Sequence, residues 1–186
     1  MVDILAMVKA NRSRYNTDKI AARHTYEGLY NRIINEILSR KDNPVVLEIG
    51  VQHGGSIRLW SDIFPKGIVI GAEISDKWRG DPIPDNAIQL IGNAYTDAVS
   101  EKVSLKAPLD LVIDDGPHNP ETQAECVRRY APMLAPGGVI VIEDIIHDWW
   151  IAEIHKQIPE GFTTELYDNR KHQCLDDMCL IIRKPM

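Results

Sequence analysis

Acidic residues end two apolar runs in the second half of this chain of 186 residues. Asp114 and Asp115 end one run, and Glu143 and Asp144 end the next. If the runs form neighbouring strands, their ends lie about 5 Å apart. Carboxylates that close repel each other unless they are protonated or bridged by a cation, and Mg²⁺ prefers oxygen ligands. The pattern favours a metal site over the alternative that Asp114 and Asp115 only cap or turn the chain.

A histidine follows the first of these acidic pairs. His118 lies three residues after Asp115, close enough to face the same space. Imidazole side chains titrate near neutral pH, which suits the removal of a proton from a substrate. His118 is therefore a candidate general base, although a single histidine in a loop is also typical of an ordinary surface position.

Glycines follow an earlier apolar run that contains Glu48. Gly50, Gly54 and Gly55 would let the backbone turn tightly and approach a ligand, next to the free N–H groups of a helix N-terminus. Their spacing matches neither GxGxxG nor GxxxxGK[ST], which disfavours NAD and ATP. Glu73 ends the next run, where nucleoside-binding folds place an acid against ribose hydroxyls. A purely structural turn and a solvent-facing Glu73 remain the alternatives.

Helical and strand patterns alternate along most of the chain. An apolar stripe at steps of three and four residues predicts a first helix, capped by Thr17 or Asp18. Later helices are expected over 56–64, 96–105 and 121–133, and strands over 45–50, 68–73, 87–91, 109–114 and 139–143. Strands separated by helices indicate a mostly parallel sheet. The runs 162–167 and 178–182 predict an antiparallel pair at the end, which brings the sheet to seven strands.

Composition narrows the class of protein. The net charge is −6 and the pI is about 5.5, with dispersed basic residues, which argues against a nucleic-acid partner. The three cysteines, Cys126, Cys174 and Cys179, show no CxxC spacing, so neither disulfides nor zinc are indicated. No apolar run is long enough to cross a bilayer, and the N-terminus lacks a signal-peptide core. We expect one cytoplasmic domain over 1–186, with residues 1–40 as a helical segment packed on it.

Four segments, in this order, resemble the class I S-adenosylmethionine-dependent methyltransferases. More closely, the chain resembles the metal-dependent sugar O-methyltransferases of the macrocin and mycinamicin type, with cephalosporin-hydroxylase-like proteins as relatives. The segments that carry this resemblance are residues 16–19 with His24, Tyr26 and Tyr30; residues 47–50 with 54–56; residues 113–118; and residues 134–138 leading to 142–144. The resemblance implies a Rossmann-like, doubly wound α/β fold.

The resemblance also implies site residues for two cofactors, S-adenosyl-L-methionine and Mg²⁺. Asp115, Glu143 and Asp144 match the family's metal ligands, and His118 matches its candidate base, which with Asp115 forms the catalytic pair. The residues expected to bind the organic cofactor are Glu48, Gly50, Gly54, Ser56, Glu73, Asn93 and Asp114. Asn93 stands where many members have an acid for the adenine amino group, so its amide oxygen, or backbone, would have to accept that hydrogen bond.

The function that follows is O-methylation of a hydroxyl on a sugar, a polyol or a glycosylated natural product. The loops 78–86 and 169–173 and the pair Trp149 and Trp150, or another subunit, would select this small-molecule acceptor, and we expect a homo-oligomer. Two alternatives stay open. One is a metal-dependent hydroxylase or hydrolase of the cephalosporin-hydroxylase-like type, which is less attractive because no second histidine stands at facial-triad spacing near Asp115. The other is a non-catalytic module that binds a nucleoside.

Overall fold

A seven-stranded sheet forms the centre of the computed structural model, which describes residues 1–20, 24–76, 82–170 and 175–186. The strands are β1 Val45–Ile49, β2 Ile68–Glu73, β3 Ala87–Ile91, β4 Leu109–Asp114, β5 Leu134–Ile142, β6 Thr163–Asp168 and β7 Met178–Arg183. Their order is β3-β2-β1-β4-β5-β7-β6, and β7 runs opposite to the other six strands. The predicted mostly parallel, seven-stranded sheet with its antiparallel final pair is confirmed.

Helices precede β1 and lie between β1 and β2 and between successive strands from β3 to β6, as the alternating pattern predicts. They are α1 Ile4–Ala10, α2 Arg12–Tyr15, α3 Glu27–Arg40, α4 Gly55–Ile63, α5 Asp97–Ser104, α6 Pro120–Tyr130 and α7 Asp148–His155. The expected cap of the first predicted helix is wrong. That helix is α3, which begins after Tyr26 without a side-chain cap, whereas Thr17 and Asp18 precede it in an irregular segment. Among the described helices, none combines the length and the apolar character needed to cross a bilayer.

The two faces of the sheet bury separate apolar cores. In β1, Val46 packs with α3 and α4 on one face, and Leu47 packs with α5 and α6 on the other. Alternate residues of a strand point to opposite faces, so a strand covered on both faces must be apolar at nearly every position. This requirement explains why the central strands appear in the sequence as unbroken apolar runs, and it confirms the doubly wound arrangement.

The segment between α2 and α3 packs against the loop that follows β1. A side chain added at Gly55 would meet the Tyr15 carbonyl oxygen at 2.1 Å, so the two segments are in direct backbone contact. Ile20 and Thr25 form an isolated antiparallel bridge in the same segment. Residues 16–20 and 24–30 are therefore held at the carboxyl edge of the parallel strands, and we call these described residues the N-terminal strap.

Gly50 is the position where the loop after β1 meets the loop after β4. Its φ is +83°, and a Cβ there would stand 1.8 Å from the Asp115 carbonyl oxygen. Gly161 has almost the same backbone angle, with φ +84°, but a Cβ there would meet nothing within 4 Å. Comparing substitutions at these two glycines therefore separates the cost of a left-handed backbone from the cost of steric overlap.

We predict that Gly50→Ala destabilises the fold much more than Gly161→Ala. The left-handed backbone alone should cost Gly161→Ala about 1 kcal/mol, whereas overlap with Asp115 should raise the loss to about 3 kcal/mol or more in Gly50→Ala. Urea unfolding of both variants, followed by circular dichroism, measures the difference. Equal losses would show that the two loops are not in contact in solution.

Candidate active site

A crevice of about 340 Å³ opens at the carboxyl ends of β1 to β4. Such crevices are the usual ligand sites of open α/β sheets. The expected site residues that line it are Gly50, Glu73, Asn93, Asp115 and His118. The structure thus brings residues of the expected cofactor set and of the expected catalytic pair to one cavity.

The two acidic pairs follow neighbouring strands. Asp114 of β4 is in register with Ile142 of β5, and the Glu143 N–H donates to the Asp114 carbonyl oxygen at 3.0 Å. The expectation that these strands are neighbours is confirmed. Asp115, the first residue after β4, and Asp144, the second residue after β5, are therefore both placed near the crevice.

Asp115, His118 and Asp144 form one compact group. Their ligand atoms all lie within 4.8 Å of one another. His118 Nε2 is 3.6 Å from Asp115 Oδ1 and 3.6 Å from Asp144 Oδ2. These distances are too long for strong hydrogen bonds. They leave two carboxylate oxygens and one imidazole nitrogen directed at a common space that could hold a cation.

Two members of this group have unusual backbone angles. His118 has φ +48° and Asp144 has φ +56°, in a region that non-glycine residues seldom adopt. Backbone strain of this kind is concentrated at functional sites, where the surrounding structure enforces it. The left-handed turn at Asp144 also directs its side chain differently from that of Glu143, the preceding residue.

Glu143 lies behind this group in the interior. One oxygen of its carboxylate accepts from the Tyr30 hydroxyl and the other from Lys19 Nζ, while Gln123 donates to its backbone oxygen at 2.9 Å. Burial raises the pKa of Glu143 well above its ordinary value, and the nearby Lys19 ammonium opposes that effect. Both carboxylate oxygens of this expected metal ligand are thus already in use by the N-terminal strap.

Lys19 belongs to segment 16–19, which carries the family resemblance, but sequence reasoning predicted neither its contacts nor its place in the site. Its ammonium contacts Asp115 Oδ2 at 2.5 Å and also Glu143, with Glu48 Oε1 at 3.4 Å. The Glu48 contact is an ion pair by distance only, since that oxygen has no partner in hydrogen-bond geometry. Burial opposes the charge on Lys19, but the surrounding carboxylates outweigh burial and hold its pKa well above the ordinary value.

The strap supplies further donors to Asp144. The Tyr26 hydroxyl donates to Asp144 Oδ1 at 2.6 Å, and His24 Nε2 is 3.7 Å from Asp144 Oδ2. His24 also forms a second compact group with Asp144 and Asp176. His24 and His118 therefore both approach Asp144, but the three residues do not form one metal-sized group in the described structure. A two-histidine, one-carboxylate iron centre gains no support from this geometry.

Glu48 and Ser56 lie beneath the crevice. Glu48 is fully buried, and its Oε2 accepts from the Ser56 hydroxyl at 2.7 Å and from Trp60 Nε1 at 3.0 Å. Burial raises the pKa of Glu48. Gly54 takes a left-handed angle, φ +75°, immediately before α4. Glu48, Gly54 and Ser56 therefore support the loop between β1 and α4, whereas Gly50 lines the crevice itself.

Glu73 fixes the same loop from the other side. Its Oε2 accepts from the backbone N–H groups of Val51 at 3.0 Å and Gln52 at 2.9 Å. Its Oε1 accepts from the backbone N–H of Ser75 at 3.1 Å. Burial acts against the charge, but these backbone donors prevail and lower the pKa of Glu73. Glu73 is therefore a carboxylate that lines the crevice with its charge retained.

Asn93 and Asp114 both have partners inside the protein. Asn93 Oδ1 accepts from the Tyr95 backbone N–H at 2.9 Å, so a ligand amino group would have to share that oxygen. Asp114 Oδ1 accepts from the Tyr95 hydroxyl at 2.5 Å, and the residue is almost completely buried. Burial raises the pKa of Asp114 to about 7. Of the two, Asn93 lines the crevice.

The expected acceptor residues fall only partly within the described residues. Trp150 is buried, whereas Trp149 is 57% exposed. Residues 77–81 and 171–174, which include Trp78 and Cys174, lie outside the described residues. The two other cysteines are buried free thiols.

Comparison with known proteins identifies the family. A family model described as a methyltransferase domain matches residues 47–145, just over half of the chain. Demethylmacrocin O-methyltransferase of Streptomyces fradiae is 33% identical over 181 residues, which cover 89% of this chain and 45% of that protein. Mycinamicin VI 2''-O-methyltransferase of Micromonospora griseorubida is 34% identical over 147 residues, which cover 74% of this chain and 36% of that protein.

A solved structure shows the same fold. The MycE methyltransferase of the mycinamycin biosynthetic pathway, in complex with Mg, SAH and mycinamycin VI, aligns with a TM-score of 0.74 at 23% identity. The alignment covers 99% of this chain and 54% of that one. This chain therefore spans about half the length or less of the relatives that it matches. The chain belongs to the methyltransferase domain family.

Proposed function

We propose that this protein is an S-adenosyl-L-methionine-dependent and divalent-metal-dependent O-methyltransferase that acts on a sugar hydroxyl of a glycosylated natural product. One observation carries the proposal: Asp115 and His118 line the same crevice as Gly50 and Glu73. A group suited to proton removal thus lies beside a cavity suited to a nucleoside cofactor. The named relatives that match most of the chain are O-methyltransferases, which supports the same reaction.

The nucleoside part of the cofactor is assigned to the part of the crevice that Glu73 lines. A ribose needs a charged acceptor for its hydroxyls, and the pKa of Glu73 is already lowered by the backbone donors around it. Both Glu73 oxygens accept hydrogen bonds from the protein, but the bond from the Ser75 hydroxyl is long, at 3.3 Å. We expect ribose to replace that bond and to leave the stronger backbone bonds in place.

The residues at the other end of the crevice fit a hard divalent cation. Asp115 Oδ1 and Asp144 Oδ2 converge without a hydrogen bond between them and His118, which leaves oxygen lone pairs available to an ion. Asp115 and Asp144 are therefore the proposed ligands in this arrangement, and Glu143 becomes a ligand only if it gives up Lys19 or Tyr30. Mg²⁺, when bound, supplies Lewis acidity that lowers the pKa of the acceptor hydroxyl.

His118 is the proposed general base. Its Nε2 removes the proton of the acceptor hydroxyl, and the acceptor oxygen attacks the methyl carbon of the sulfonium donor. As the new C–O bond forms, the C–S bond breaks and leaves S-adenosylhomocysteine and a methyl ether. Asp115 and Asp144 flank His118 and stabilise the positive charge that it gains. The rest of the catalysis is positioning, since direct transfer depends on aligned atoms at short distance.

The acceptor class is proposed from the relatives. The two named above act on demethylmacrocin and on the 2''-oxygen of mycinamicin VI, and a third is named as a 2'-O-methyltransferase of a rhamnosyl tetracenomycin C. The rhamnosyl group in the third name is a sugar on a larger scaffold. Assembly into a homo-oligomer stays a prediction.

We predict that His118→Gln lowers kcat by about 100-fold or more, since general-base catalysis contributes that much. S-adenosylhomocysteine release with mycinamicin VI as acceptor measures the rate, and calorimetry measures cofactor affinity, which should stay near wild type. His155→Gln, at an exposed position on α7, is the matched control. Undiminished turnover in His118→Gln would remove the proposed base.

We predict that Asp144→Asn abolishes metal-dependent activity, because one of the two carboxylates that converge beside His118 is lost. EDTA should abolish the activity of the wild-type enzyme, and added Mg²⁺ should restore that activity. Asp148→Asn, an exposed acid four residues further on, controls for the loss of one charge. Full activity of the wild type in excess EDTA would contradict the proposed role of the metal.

A further inference from the structure

A lysine ammonium lies among the acidic residues of the proposed metal site. Lys19 is 2% exposed, and its Nζ contacts Asp115 and Glu143 within hydrogen-bond distance, with Glu48 at 3.4 Å. A buried charge of this kind is costly unless it is well paired. The strap therefore delivers one positive charge to the place where the carboxylates are most crowded.

The contacts divide the carboxylate oxygens into two sets. Glu143 uses both oxygens inward, toward Lys19 and Tyr30. Asp115 uses Oδ2 for Lys19 and directs Oδ1 at His118. The Lys19 ammonium thus sits on one oxygen of each of two expected metal ligands. A divalent ion that needed either of those oxygens would have to displace or share the ammonium.

We infer that Lys19 is a tethered cation that competes with the divalent ion for Asp115 and Glu143. This inference rests on the proposed metal site and goes beyond it, because it assigns control of the ion's affinity to a residue that is not a ligand. While the ammonium is in place, the ion meets Asp115 and Asp144. Without it, Glu143 becomes available as a further ligand, and one repelling charge is removed.

Lys41 provides a matched control for the loss of one lysine. Its Nζ pairs with Asp110 Oδ2 at 2.8 Å, near the starts of β1 and β4. In these parallel strands the starts lie at the edge opposite the crevice. Lys41→Met therefore removes the same charge and one ion pair, at a distance from the site.

The test is Mn²⁺ binding to the apoprotein, measured by calorimetry and by electron paramagnetic resonance without cofactor or acceptor. In Lys19→Met we expect the Kd for Mn²⁺ to fall by at least about 10-fold, since a unit charge a few ångströms away is lost. Lys19→Gln, which keeps a donor for the buried acids, should show the same direction. Lys41→Met should change the Kd by less than about 2-fold, as expected for a distant charge.

Thermal unfolding gives a second readout. At the same Mn²⁺ concentration, the Tm of Lys19→Met should rise more than that of the wild type, because the stabilisation by a ligand grows with the logarithm of its concentration divided by its Kd. An unchanged or weaker Mn²⁺ affinity in both variants would overturn the inference. So would failure of both variants to fold in the presence of Mg²⁺, since the ion could then not replace the ammonium.

The wild-type measurement separates this inference from the proposed function. If the wild type binds no Mn²⁺, the proposed metal-dependent function itself is refuted. If it binds Mn²⁺ and the two Lys19 variants do not bind it more tightly, only the competition between lysine and metal is refuted.

Discussion

Mutual repulsion among buried and half-buried carboxylates is the constraint on which the rest of this structure depends. Glu48, Asp115 and Glu143 all approach one ammonium, that of Lys19, at the carboxyl edge of the sheet. Removing an ion from water costs several kcal/mol even after the protein relaxes, so these acids need partners. Their partners come from a segment far away in the chain. The strap is therefore part of the site as much as the loops after β1, β4 and β5.

This dependence explains why the strap is held so firmly at the sheet edge. The Tyr15 carbonyl oxygen lies so close to Gly55 that no side chain would fit there. Thr25 donates to Asp177 Oδ2 at 2.5 Å, and the Tyr167 hydroxyl donates to the Thr25 carbonyl oxygen at 3.0 Å. These contacts join the strap and the adjacent end of α2 to the start of α4 on one side, and to the final strand pair on the other. Displacing the strap would expose apolar surface and leave the buried acids without donors at the same time.

The sequence was sufficient for the sheet because each central strand is constrained on both faces. The strand expected over 109–114 has the same bounds as β4 in the structure. The position of β5 beside β4 follows from the helix α6 that connects them. The short helices α1 and α2 lie within the expected helical segment 1–40 but were not predicted as separate helices, since seven and four residues give too few turns for a clear periodic signal. The strands could thus be predicted because burial on both faces makes their sequences apolar. The short helices depend on packing contacts that no sequence pattern shows.

The candidate site was predictable only where its members are close in sequence or follow neighbouring strands. Asp115 and His118 share one loop, and the sheet brings Asp144 beside them. The separation between Glu143 and Asp144 was not predictable, because it depends on a left-handed turn at Asp144, φ +56°. The position of Lys19 was beyond pattern reasoning too, since 96 and 124 residues separate it from its two nearest partners.

The arrangement of donors has a consequence for how the site can work. Asp115 and Asp144 each have one oxygen held by the strap and one directed at His118. The held oxygen limits rotation of the carboxylate, so the other oxygen keeps its direction before any ligand arrives. Preorganisation of this kind lowers the cost of ordering the site at the moment of reaction. The strap thereby acts on the chemistry through the acids that it orients, without any need to contact the acceptor.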